Sequence, residues 1–326
     1  MRILVTGVSG FAGGHLAEAL LEQSGVQLFG TSRRGQWPPE LWHLAERSSL
    51  RRCDLCDGPG IEAILREVQP EQIYHLAGYS DAGRSLREAE EAWAGNLTGT
   101  RYLYDAILRW GGRPRILYVG SGMVYGDLED PTKAHDELAL LRPSSPYAAS
   151  KAAADLVGYQ YSRCCGLDII RVRPFNHIGP RQSPQYAVAH FAQQLAAIAC
   201  RKQAPLLETG SLDPRRDLTD VRDMARAYIL VMARGRTGEV YNVGTGQTHS
   251  MREVLERLLA LVDVEIEVKQ RPGLVRANDT RVIRADPSRL RSEIGWRPQW
   301  TLEQTLSDTL EYWRQALAVE TARKPA

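Results

Sequence analysis

The first fifteen residues, Met1-Arg-Ile-Leu-Val-Thr-Gly-Val-Ser-Gly-Phe-Ala-Gly-Gly-His15, constrain the fold more than any other stretch. Ile3-Leu4-Val5 reads as a buried strand. The chain turns at Thr6-Gly7 and enters a helix near Phe11. Glycines stand at Gly7, Gly10 and Gly13. In a strand–turn–helix unit these permit a tight turn, a close backbone approach to a ligand, and close packing of helix on strand. The helix start then offers free amides and its positive dipole end to negative charge. A merely structural turn does not need three glycines. Gly7, Gly10, Phe11 and Ala12 are therefore expected to cradle a dinucleotide pyrophosphate.

The rest of the chain must be large enough to complete such a sheet. It has 326 residues, 43% apolar and 25% charged, which suits one large globular unit or two modest ones. A net charge of +2 gives no reason to expect a nucleic-acid partner. No stretch approaches the roughly twenty apolar residues of a membrane helix. The first strand begins at once, which leaves no room for a signal peptide. Five cysteines show no disulfide framework. Cys53 and Cys56 form a C-x-x-C without the second pair or the histidines that zinc would need. No metal is expected, and the cytoplasm is the default location.

Up to about Arg173, strands and helices alternate. Strands are expected at 3–6, 26–30, 72–76, 115–120 and 168–172, with a further one ahead of Asp54. Helices are expected at 11–23, 61–68, 88–110 and 149–164. Alternation of this kind implies an α/β doubly wound parallel sheet of Rossmann type, with ligands at the carboxyl ends of its strands. Beyond Arg173 prolines become frequent. Helices are expected at 188–202, 221–233, 251–262 and 302–316, a strand at 239–243, and a loosening tail after about 318. The expected division is a dinucleotide-binding domain over 1–173, rejoined by about 215–245. A smaller interleaved C-terminal substrate lobe would comprise 174–214 and 246–326.

The second strand leads into Arg33-Arg34, with no acid to bond an adenosine 2′-hydroxyl. Arginine suits a 2′-phosphate, which favours NADP, with NAD possible; the alternative is a pair of solvated charges. Asp54-Leu55 is placed to meet the adenine edge. Leu76-Ala77-Gly78 supplies small residues under the cofactor. Tyr147 and Lys151 lie four apart, on one face of a helix. The ammonium is expected to lower the phenol's pKa and to hold the nicotinamide ribose. Tyr147 could then exchange a proton with a substrate oxygen near neutral pH. Ser121, at the end of the preceding strand, could bond the same oxygen. By chance alone, a Y-x-x-x-K pair would simply face solvent.

Taken in order, these pieces resemble an extended short-chain dehydrogenase/reductase of the nucleotide-sugar branch. The match includes Thr6–Gly13, Asp54-Leu55, Leu76–Gly78, Asn96–Thr100, Ser121, Tyr147/Lys151, Arg173–Pro180, Arg216-Asp217, Asp220–Asp223, Tyr241–Gly244 and Gly295–Pro298. Phe175–Gln182 and Arg215–Asp223 resemble the GDP-sugar enzymes, namely GDP-mannose 4,6-dehydratase and GDP-4-dehydro-6-deoxy-D-mannose reductase. The resemblance implies His177 beside the cofactor. It implies Ser80, Asn176, Arg181, Arg216, Arg276 and Asp279 at the sugar nucleotide, although Ala277 replaces a family proline. A surface salt bridge is the alternative for each arginine. It further implies a homodimer through a four-helix contact of 88–110 and 149–164.

Three reactions share this scaffold. A 4,6-dehydratase must also remove the C5 proton and the C6 hydroxyl, and so needs an additional acid and base. The dehydratases resembled carry Asp or Glu just after the Ser/Thr, where this chain has Gly122 and Met123. The epimerase-reductases that make GDP-fucose carry cysteine at the Met123 position. Many reductases carry an acid there too, so Met123 excludes chemistries rather than identifying one. The expectation is NADPH-dependent reduction of the C4 ketone of a GDP-4-keto-6-deoxyhexose to GDP-6-deoxy-D-mannose. A 4-epimerase retaining NAD is the first alternative, a dehydratase the second. A cofactor-binding regulator without chemistry fits poorly with an intact Ser121, Tyr147 and Lys151.

Overall fold

The computed structural model describes residues 1–275 and 280–322. Strand β1 (Arg2–Thr6) runs into α1 (Phe11–Leu21), followed by β2 (Gln27–Ser32) and β3 (Ser48–Arg52). Then come α2 (Gly58–Val68), β4 (Gln72–His75), α3 (Ala89–Trp93), α4 (Gly99–Trp110), β5 (Arg115–Val119), α5 (Pro146–Cys165) and β6 (Asp168–Pro174). The second half comprises β7 (Asn176–Ile178), α6 (Ala187–Ala199), β8 (Leu206–Thr209), β9 (Arg215–Asp220), α7 (Val221–Arg234) and β10 (Val240–Val243). It closes with β11 (Thr248–Ser250), α8 (Met251–Leu259), β12 (Glu267–Gln270), β13 (Val282–Ile283) and α9 (Leu302–Ala322).

Seven parallel strands form one sheet in the order β10-β6-β5-β4-β1-β2-β3. The direction of winding reverses between β1 and β4, and this switch point opens a crevice at the strands' carboxyl ends. The central strands alternate their buried side chains between two cores. Val5, Val119 and Val172 join residues of α1 and α7, including Leu16, Leu20, Met224 and Tyr228. Leu4, Ile73, Ile116 and Ile169 join residues of α2, α4 and α5, including Leu65, Leu103 and Tyr104. Burial on both faces explains why these strands read as continuous apolar runs. A third core gathers α6, α8 and α9 through Phe191, Leu195, Leu255, Leu258, Leu306 and Leu310. Among the described residues no helix is long and apolar enough to cross a membrane.

Several elements differ from the sequence expectation. β3 stands ahead of Asp54 as expected, but as Ser-Ser-Leu-Arg-Arg on the sheet edge, none of it fully buried, it carries no apolar run. The short strands β7, β8, β9, β11, β12 and β13 carry no readable periodicity; β12 is exposed throughout. They exist because β9 pairs with β7, β11 and β13, and β8 with β12. Helix α9 continues to Ala322, past the expected loosening. The single helix expected over 88–110 is interrupted by a π-helical turn at Ala94–Thr98. Asn96 sits in that turn, and its amide makes two bonds: Oδ1 accepts from Tyr79 N at 2.9 Å and Nδ2 donates to Ser150 Oγ at 2.9 Å.

Candidate active site

The phosphate-side turn is built by close approach. Gly7 has φ +71, and a Cβ there would lie 2.8 Å from the Ala77 backbone. A Cβ on Gly13 would lie 2.9 Å from Val8 Cα and strike Gly7 O. Helix α1 begins after Gly10 with no side-chain cap and no acidic residue in its first turn. Its first amides and positive dipole end are thus left for an anion at Phe11-Ala12. Phe11 stacks on His177 at 5.8 Å and 9°, which seats β7 against this turn. Burial lowers the pKa of His177, and its Nδ1 lies 3.2 Å from Phe175 O.

Sequence-selected groups occupy one carboxyl end after another. Arg33-Arg34 follow β2, exposed and without an ion pair among the described residues. Asp54 and Leu55 follow β3. Asp54 Oδ1 accepts from Cys56 N at 2.9 Å, and Leu55 is buried in the α2/α4 core. In the C-x-x-C, Cys53 Sγ donates to Asp54 O and Cys56 Sγ to Ala94 O. Burial pushes the Cys53 thiol up to about 11. Leu76-Ala77-Gly78 follow β4, with Ala77 N held by Thr6 Oγ1 at 3.2 Å. A Cβ on Gly78 would lie 3.6 Å from Lys151 Nζ.

Ser121 follows β5, buried, and its Oγ accepts from Met123 N at 3.2 Å. Helix α5 starts at a Ser145 cap with Pro146 in its first position, which fixes Tyr147 in the first turn. Tyr147 N donates to Ser85 Oγ at 3.2 Å, and the Ser121 hydroxyl lies close enough to its phenol to pull the phenol's pKa down. Lys151, one turn on, is buried and donates to Val119 O at 3.0 Å. The expected lowering of the phenol pKa is reversed in the folded chain. Burial dominates and raises Tyr147 to about 12, against the opposing pull of the Ser121 hydroxyl. Burial also brings Lys151 down to about 8. At neutral pH the pair is therefore a protonated phenol beside an ammonium.

The substrate-side expectations separate. Ser80 lies on the turn after β4, where its carbonyl accepts from Tyr186 OH at 3.3 Å. Asn176 opens β7 beside Leu218 of β9. Arg216, on β9, donates to Arg215 O at 3.0 Å. Arg181 is committed elsewhere: its Nη1 and Nη2 each meet a Glu18 oxygen at 2.6 Å, and Nη2 also donates to His15 Nδ1 at 2.8 Å. That fork ties the loop after β7 to α1 and is the salt bridge that stood as the alternative for this arginine. Arg276 and Asp279 lie outside the described residues.

Behind Ser121, Gly122 has no room for a side chain, since a Cβ would lie 2.8 Å from the Phe175 ring. Met123 packs with Val124, Tyr125, Ala152 and Phe175. No proton-exchanging group therefore occupies either position. Residues the sequence reading passed over include Ser85 and Ser150, which fix the start of α5, and Tyr186. Ser85 and Tyr186 stand in no recognisable spacing and only folding brings them to Tyr147; Ser150, beside Lys151 in sequence, gains its role through the distant Asn96.

Comparison with known proteins gives a consistent picture. A family model described as GDP-mannose 4,6 dehydratase matches residues 4–309. A GDP-6-deoxy-D-mannose reductase from Pseudomonas aeruginosa is 34% identical over 320 residues, 98% of this chain and 99% of the relative. The solved structure of RMD from Pseudomonas aeruginosa complexed with NADPH matches with a TM-score of 0.85 at 32% identity, covering 97% of this chain and 99% of that one. UDP-glucose 4-epimerase from Thermus thermophilus, in complex with NAD, matches with a TM-score of 0.87 at 30% identity, covering 97% and 100%.

Proposed function

The chain belongs to the GDP-mannose 4,6-dehydratase family of short-chain dehydrogenase/reductases, and from that membership we propose that it is an NADPH-dependent reductase of GDP-4-dehydro-6-deoxy-D-mannose, yielding GDP-6-deoxy-D-mannose. One observation carries the choice of reduction over dehydration. The Ser121–Tyr147 pair is intact, while Gly122 has no room for a side chain and Met123 has no proton to exchange. The glycine turn supports the cofactor, since its close approaches leave space only for backbone and an anion beside the uncapped start of α1. Arg33 and Arg34 would receive the 2′-phosphate, and His177 would flank the same ligand. Ser80, Asn176 and Arg216 would border the sugar nucleotide.

The nicotinamide ring supplies the hydride when bound. The protein's own task is the oxygen. Burial keeps Tyr147 protonated, which is the state a donor needs as a C4 alkoxide forms. Ser121 orients that oxygen beside the phenol. Lys151 remains largely cationic at neutral pH and stabilises the phenolate left behind. Its bond to Val119 O fixes the ammonium under the turn at Gly78.

The likeness to an NAD-containing 4-epimerase supports a second reading, since that chemistry needs the same Ser121, Tyr147 and Lys151. Two incubations test the choice. With GDP-mannose and NADP⁺ the purified protein is expected to make no 4-keto product. With the 4-keto-6-deoxy sugar nucleotide it should consume NADPH stoichiometrically, with the product identified by NMR. Ready conversion of GDP-mannose would overturn the reductase reading. Copurifying, non-exchanging NAD would favour the epimerase.

A further inference from the structure

Tyr186 stands at the junction of the two halves of the molecule. It precedes α6 of the C-terminal core, and its carbonyl accepts from His190 N at 2.9 Å, which fixes its backbone to the helix start. Its phenol crosses to the opposite wall and donates to Ser80 O at 3.3 Å. That wall is rigid. Tyr79 N is held by Asn96 Oδ1, Asn96 is held by Ser150 on α5, and Gly78 lies over Lys151 Nζ. Tyr186 also lies near enough to Tyr147 to raise the pKa of its phenol.

A ketone held by Tyr147 and Ser121 must place the rest of its ring between these walls. The Tyr186 bond to Ser80 is near the long limit for an O–H donor. A sugar hydroxyl at ordinary hydrogen-bond distance would be a better acceptor than that carbonyl. A phenol both donates and accepts, so it can read a ring hydroxyl in either role. On the reading of the preceding section, we propose that Tyr186 is a specificity-determining residue that hydrogen-bonds a hexose hydroxyl of the bound sugar nucleotide and closes the cleft over it.

The test compares wild type with Tyr186→Phe, which keeps the ring and removes only the hydroxyl. Calorimetry measures affinity for GDP-mannose, as a stable hexose-bearing analogue, and for GDP alone. Steady-state assays measure KM and kcat for the 4-keto sugar with NADPH. The variant is expected to lose about tenfold in GDP-mannose affinity and in KM for the ketone, the usual worth of one such bond. Affinity for GDP and for NADPH should be unchanged, and kcat should change by no more than about threefold. Equal GDP-mannose affinity in the two proteins overturns the proposal. So does an equal loss for GDP, which would show a merely structural role. A wild type that neither binds GDP-mannose nor reduces the ketone overturns the functional reading together with this one. A wild type that does both beside an unaltered variant overturns this one alone.

Discussion

Tyr147 and Lys151 titrate in directions that suit reduction. Burial holds the phenol near 12 and the ammonium near 8. Activity in the reductive direction is expected to fall as pH rises through about 8, where Lys151 loses its charge while Tyr147 keeps its proton. The same depressed value makes the folded state bind fewer protons than the unfolded chain between about 8 and 10.5. This group's destabilising contribution is thus fully present below about 8 and is relieved as pH rises to 10.5. A pH–kcat profile that stays flat to pH about 10 would remove the Lys151 charge from the step. Tyr147→Phe is expected to cut kcat by about 10²–10⁴-fold with cofactor and sugar-nucleotide affinity retained. Near wild-type turnover would exclude Tyr147 as the donor. Arg33 and Arg34 make the third residue-scale prediction: replacing both with Ala should raise KM for NADPH far more than for NADH. An equal response to both would show that they do not read the 2′-phosphate.

At the scale of elements, the placement of α5 decides whether Tyr147 and Lys151 reach the site. Two devices hold it. The π-helical turn at Ala94–Thr98 aims Asn96 at Ser150 of α5. Farther along, Asp155 is fully buried and accepts from Arg171 and Arg173 of β6, each at 2.5 Å. Removing the carboxylate would strand two buried guanidinium groups. Asp155→Asn is therefore expected to cost about 3–5 kcal/mol of stability, read as a lower urea midpoint. An unchanged midpoint would show that packing alone docks the helix. The fold of this half was legible because apolar runs and glycine turns alternate at the expected lengths. The interruption in the helix over 88–110 was not, because Asn96 acts through Tyr79 and Ser150, 17 and 54 residues away in sequence.

For the whole molecule, the reversal of winding between β1 and β4 converts scattered motifs into one crevice. In the second half β7 and β9 pack on the α6/α8/α9 core, and these two strands carry Asn176 and Arg216. A separate surface, on α4 and α5, carries a proposal about assembly. Leu108 on α4 and Leu156 and Tyr159 on α5 are exposed. They support a homodimer joined by these helices, in keeping with the family expectation. Leu156→Glu combined with Tyr159→Glu should shift the protein to monomer in light-scattering chromatography, while a monomeric wild type would refute the contact.

The sequence by itself determined the glycine turn, the parallel alternation of strands and helices, the order of the motifs and the Ser121, Tyr147 and Lys151 set. These are local patterns, or patterns whose period reports burial directly. Tertiary structure alone decided the rest. It committed Arg181 to Glu18 and His15, raised the Tyr147 pKa where a neighbouring ammonium suggested a fall, and left Gly122 no room for a side chain beside Phe175. It also built six short strands that have no apolar period and brought Tyr186 to Ser80 across 106 residues. Each of these depends on which group lies opposite in space. Desolvation, ion pairing and steric exclusion are properties of that neighbour, and spacing along the chain does not encode it.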